Sequence, residues 1–95
     1  MKNSEEIFLD ELKEEFIVKL VNDVVSMKEA CEKKDNKAIA RIAHDIKGTI
    51  GIFGYHEGTV LALNLQLVAE EAKWEQIDTS LNKFLEYLRI QEILP

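Results

Sequence analysis

The segment Ile39-Ala40-Arg41-Ile42-Ala43-His44-Asp45-Ile46-Lys47-Gly48-Thr49-Ile50 decides how the rest of this 95-residue chain is read. Ile39, Ile42, Ala43, Ile46 and Ile50, continued by Phe53, recur at i, i+3, i+4 and i+7, the spacing of one apolar helix face. His44 stands about 100° from Ala43 around that helix. It is off the apolar stripe, among Lys37, Ala40, Arg41, Lys47, Gly48 and Gly51. A histidine with a lysine three residues on and a glycine four residues on, all facing outward, suggests chemistry done by the imidazole. Two glycines inside a helix cost about 1 kcal/mol each relative to alanine. Their place beside the histidine implies close approach of something to that face, unless they only mark a fraying helix end.

Upstream, Ser4 with Glu5 and Glu6 reads as an N-cap and an acidic first turn. Ile7, Phe8, Leu9, Leu12, Phe16, Ile17, Leu20, Val21, Val24, Val25, Met27 and Cys31 then recur at helical spacing. This predicts one long amphipathic helix, or a short helix bent into a long one. Phe16-Ile17-Val18 is wider than one stripe needs, which predicts two neighbours for that helix. Glu32 to Asn36 is a charged break, with Asp35 as the cap of a second helix beginning at Asn36 or Lys37.

Gly54 to Gly58 reads as the turn ending the second helix. The third helix runs from about His56 to Lys73, with Val60, Leu61, Leu63, Leu65, Leu67, Val68 and Ala72 as core candidates on more than one side. Trp74 to Asp78 reads as a connection. The fourth helix starts at Ile77 or Asp78, ends near Glu92, and buries Ile77, Leu81, Phe84, Leu85, Leu88 and Ile93. Short links between such helices imply antiparallel neighbours. The expected fold is all-α: one domain over 1–95, an antiparallel up-down four-helix bundle, with or without a short extra N-terminal helix.

Composition narrows the function. A net charge of −6 argues against general nucleic-acid binding, which needs a basic footprint. No apolar run approaches the roughly 20 residues needed to cross a bilayer, and the acidic N-terminus is unlike a signal peptide. A single cysteine, Cys31, allows no internal disulfide and fits a reducing compartment, so the expected location is the cytoplasm. The charge is unevenly spread. Lys33, Lys34, Lys37, Arg41 and Lys47 against Asp35 and Asp45 give the stretch from Lys33 to Lys47 a net of +3, leaving −9 for the remainder. The one basic segment contains His44, which suggests steering of an acidic partner, with Lys37 and Arg41 as partner-binding residues.

No glycine-rich phosphate loop, Ser/His/Asp set or Cys/His metal spacing is present. His44 and His56 lie on different elements without a third ligand, so no metal site is expected. A bundle this small has little room for a substrate cavity. What remains is an exposed nucleophile. Neutral imidazole carries a lone pair near physiological pH and can attack a phosphoryl group. Lys47 can offset the charge on phosphoryl oxygens. Gly48 leaves room for a docking active site, and Gly51 extends that clearance. The residues fit a phosphoryl carrier rather than a self-sufficient catalyst.

Ala43-His44-Asp45-Ile46-Lys47-Gly48-Thr49, with Gly54 ten residues after the histidine, resembles the signature of histidine-containing phosphotransfer (HPt) domains. The resemblance extends over nearly the whole chain. It implies a four-helix bundle in which His44 carries phosphate on its solvent-facing nitrogen, Lys47 stabilises the phosphoryl group, and Gly48 gives clearance. Gln66, at +22 on the next helix, would hold the ring. It further implies a monomer that binds no cofactor, with Mg²⁺ supplied by its partners, a sensor histidine kinase and a response-regulator receiver domain. Ile52, Phe53 or the start of the first helix would add partner contacts. Gly58 departs from the pattern, where leucine is more usual, and predicts a displaced or frayed start to the third helix. The competing expectations are a helical adaptor that binds a signalling partner without being phosphorylated, and a metal- or ligand-binding bundle.

Overall fold

The computed structural model describes all 95 residues as four α-helices and one 3₁₀ turn, with no strands. The helices are α1 (Ser4–Glu32), α2 (Asn36–Ile50), α3 (His56–Glu70) and α4 (Trp74–Ile90), and the 3₁₀ turn (Gly51–Phe53) continues α2. Each helix packs on the next in sequence through a link of two or three residues, which makes the neighbours antiparallel. A single core of 19 buried side chains draws on all four helices. Phe84, Leu20, Met27, Ile39, Ile46, Ile50, Leu65, Ile77 and Leu88 are its largest fully buried members. The all-α bundle expected from the sequence is the fold observed.

α1 is one unbroken helix, with no separate N-terminal helix. Its cap is Asn3, whose side chain accepts from the Glu6 N–H at 2.8 Å, so Ser4 lies inside the helix it was expected to cap. The burial pattern Phe16, Leu20, Val24, Met27, Ala30 is the core stripe, and every residue before Phe16 is exposed. At about 1.5 Å per residue α1 is close to twice as long as α2, α3 or α4, and it sets the 49 Å long axis of a 49 × 22 × 21 Å body. Phe16 stacks on Phe53 with ring centroids 4.5 Å apart and planes 12° apart, and Lys13 lies over the Tyr55 ring at 5.4 Å. Beyond those contacts α1 overhangs the bundle. Val18 is exposed, so the Phe16-Ile17-Val18 cluster does not reach two neighbours in full.

Asp35 caps α2 as expected, accepting from the Ala38 N–H at 3.1 Å. Asn36 donates from Nδ2 to the Ala69 carbonyl at 2.9 Å, occupying an acceptor near the end of α3. Lys34 lies over the Trp74 ring at 4.7 Å, joining the α1–α2 link to the start of α4.

Three helices stop in the same way. Lys34, Ala72 and Glu92 adopt left-handed φ values of 55°, 53° and 61°. Paired hydrogen bonds close each end: Lys34 N–H to Cys31 O with Asp35 N–H to Ala30 O, Ala72 to Ala69 with Lys73 to Val68, and Glu92 to Arg89 with Ile93 to Leu88. None of the three is glycine. This is why α3 ends at Glu70 rather than near Lys73, why Ala72 is exposed rather than in the core, and why α4 already begins at Trp74. A left-handed alanine is strained by about 1–2 kcal/mol, less the extra freedom glycine gives the unfolded chain. Ala72→Gly is therefore expected to raise the thermal midpoint by about 3–6 °C, measured by circular dichroism.

Gly58 is not at a frayed start. α3 begins at His56, and Gly58 is buried one turn in. A Cβ there would lie 2.7 Å from Ile50 Cδ1 and 3.1 Å from Tyr87 Cε2. The glycine lets α2, α3 and α4 converge at one point.

Candidate functional site

His44 sits in the second half of α2 and is exposed, as its position off the apolar stripe predicts. Lys37, Arg41, His44 and Gly48 follow at i, i+4, i+7 and i+11 and form one outward stripe, with Lys37, Arg41 and Gly48 also exposed. Lys47 is half-buried at its edge. Ala40, expected on this outer face, is instead buried at 8% exposure. None of Lys37, Arg41 and Lys47 takes part in an ion pair; the four ion pairs of the chain lie elsewhere. The stripe presents unpaired positive charge around an imidazole that makes no side-chain hydrogen bond of its own. Such charge attracts and orients an anionic group.

The two glycines of this region do different things. A Cβ at Gly48 would meet nothing within 4 Å, so its open side faces outward. A Cβ at Gly51 would lie 2.7 Å from Thr59 Oγ1, so the space at Gly51 is already filled by α3. Clearance at Gly51 therefore serves packing within the chain. Gly48→Ala is expected to gain about 1 kcal/mol of helix propensity and to raise the midpoint by about 4–8 °C. A thermal melt followed by circular dichroism tests this.

The Gly51–Thr59 contact also fixes what faces His44. His44 is seven residues before Gly51 on α2, and Gln66 is seven after Thr59 on α3. Seven residues return to the same helix face, and in antiparallel helices both steps run the same way. His44 and Gln66 thus share the α2–α3 seam. No hydrogen bond joins them in this structure. Gln66 Nε2 donates to Glu70 Oε1 at 2.8 Å, and Gln66 Oε1 is buried without a partner. Glu70 went unnoticed in the sequence; its signal is the i, i+4 spacing from Gln66 on the seam-facing side.

The surroundings are open. Three surface depressions exist, and none is lined by His44, Lys47 or Gln66. Nowhere do three or more His, Cys, Asp or Glu side chains converge as metal ligands. Cys31 is half-buried rather than core, and burial first and Asp78 second push its thiol pKa up against the opposing pull of Lys34. It is correspondingly poor in thiolate. Next to the site Ile52 is 76% exposed, whereas Phe53 is half-buried in its stack with Phe16. Val60, Leu63 and Leu67, expected in the core, instead form an exposed apolar stripe on α3.

A family model for the Hpt domain matches residues 11–92. The chain belongs to the Hpt domain family. Hpt domains act in histidine phosphotransfer in two-component signalling, with response-regulator receivers and kinases as the family's partners. The matched span contains every residue of the His44 stripe together with Gln66 and Glu70. It leaves out residues 1–10, which form most of the α1 overhang. No match was found among curated proteins or among solved structures. No helix of this Hpt domain is long and apolar enough to cross a membrane.

Proposed function

We propose that this Hpt domain is a phosphorelay intermediate, carrying a phosphoryl group on His44 to or from the aspartate of a response-regulator receiver domain. The observation that carries the reading is the exposed His44 on a stripe with unpaired Lys37 and Arg41, beside Lys47 and the open side of Gly48. The imidazole nitrogen facing solvent attacks phosphorus with its lone pair. The bond from phosphorus to the aspartate oxygen breaks, and the carboxylate leaves with that electron pair. Lys47, three residues after His44 on α2, offsets charge on the transferred oxygens. Lys37 and Arg41 steer the acidic pocket of the receiver onto α2, so transfer slows as salt rises. Ile52 and the stripe Val60, Leu63, Leu67 offer apolar contact to the same partner.

The domain binds no cofactor of its own in this reading; Mg²⁺ comes with the receiver or the sensor kinase. It works in the cytoplasm as a monomer, and both phosphohistidine and aspartyl phosphate are labile enough for transfer in either direction. Incubation with a phosphorylated receiver and Mg²⁺ is expected to leave acid-labile, base-stable phosphate on the domain. Receiver binding without any such phosphate would mark a helical adaptor instead.

A further inference from the structure

We propose that Glu70 is a positioning residue that sets the tautomer of His44 by fixing which end of the Gln66 amide faces the α2–α3 seam. The proposal rests on His44 being the reacting residue. A glutamine amide has one accepting and one donating end, and the two ends are related by a flip of its last torsion. An ionised carboxylate accepts only. Because Glu70 Oε1 takes the Gln66 Nε2 donor at 2.8 Å, the amino end is committed along α3 and the oxygen is the end left over. That oxygen is buried with no partner. A buried acceptor without a donor is costly, and His44, two turns along the same seam from the Gly51–Thr59 contact, is the side chain placed to offer it an N–H.

The consequence reaches the chemistry through the ring. Neutral imidazole has one N–H and one lone pair, and which nitrogen holds the proton is set by what the other side of the ring meets. An oxygen in the seam favours the proton on the seam-side nitrogen. The lone pair is then left on the solvent-side nitrogen, where a docked phosphoryl group arrives. With the amide flipped, the seam would present a donor, the proton would move to the outer nitrogen, and the nucleophile would face inward. Glu70 itself is exposed and one helical turn beyond Gln66 on α3, so it acts through that amide.

The test is the tautomer ratio of His44, read by long-range ¹⁵N–¹H correlation on the full chain with labelled histidine, above the imidazole pKa and without phosphate. The parent should show one dominant tautomer. Glu70→Gln should lower its ratio by about fivefold, the worth of one net hydrogen bond, because an amide at position 70 can accept from the amino end of Gln66 or donate to its oxygen end. The swap Gln66→Glu with Glu70→Gln should restore the parental ratio, since a carboxylate at 66 has no donor end to misplace. Circular dichroism on each variant separates this from loss of fold. A parental ratio unchanged in Glu70→Gln, or a swap that fails to restore it, overturns the proposal. The readout involves no transfer, so an Hpt domain that took up no phosphate would sink the proposed function and leave this result standing on its own.

Discussion

Replacing His44 by glutamine is expected to abolish phosphate uptake and to leave the bundle intact. The side chain is exposed, and a glutamine amide can still offer an N–H to the α2–α3 seam, so the exchange takes nothing from the core. Exposed substitutions of this kind move stability by about 0.5 kcal/mol or less, which keeps the melting temperature within a few degrees of the parent. Glutamine keeps similar size and polarity but has no nucleophilic nitrogen at neutral pH. The only other histidine, His56, is exposed at the first turn of α3, with Glu57 beside it and no lysine or arginine within one turn. His56→Gln should therefore label like the parent. Label on His44→Gln equal to that on the parent would remove His44 from the mechanism.

The second large effect concerns stability alone. Gly58→Leu, which installs the residue more usual at this position, is expected to destabilise the domain by about 3 kcal/mol. Even the first added carbon would stand 2.7 Å from Ile50 Cδ1. Ile50 is 0% exposed and closed in by the core, so it cannot swing aside into solvent. Tyr87 bounds the other side at 3.1 Å. The thermal midpoint should fall by roughly 12–24 °C, a large share of the total stability of a small domain. Gly58→Ala should be milder, because the clash is smaller and alanine recovers about 1 kcal/mol of helix propensity. A Gly58→Leu domain that melts with the parent would show that α3 can shift away from α2 at little cost.

The bundle was legible because its core is written in periodicity. Ile39, Ala43, Ile46 and Ile50 on α2, and Ile77, Leu81, Phe84, Leu85 and Leu88 on α4, are buried as their spacing predicts. α3 was misread because its apolar residues cover most of its circumference, and spacing alone cannot say which of them meet a neighbour. The buried ones turn out to be small: Gly58, Ala62 and Ala69, with Leu65 the exception. Small residues allow close helix approach, and the larger Val60, Leu63 and Leu67 are left outside. Helix ends were hidden for a related reason. The left-handed stops fall on lysine, alanine and glutamate, which carry no sequence signal for that conformation. At the site, the stripe of His44 with Lys37, Arg41 and Gly48 follows from spacing on one helix. The inward use of Gly51 does not, because it depends on Thr59 from another helix.

The overhang of α1 has a consequence for how the molecule opens. Its first three turns are helical by continuation from a segment locked at Phe16, so they need no nucleus of their own. Propagation holds them, closed at its end by the Asn3 cap, and each residue added toward Ser4 is held by its own weak increment. Amide exchange should then rise in steps from Phe16 toward the N-terminus, rather than switching on for the whole helix at once. α1 is in that sense two materials in one rod. One end shares the global stability of the bundle, and the other is a graded helix–coil segment whose order can respond to whatever touches Phe8, Leu9 and Leu12.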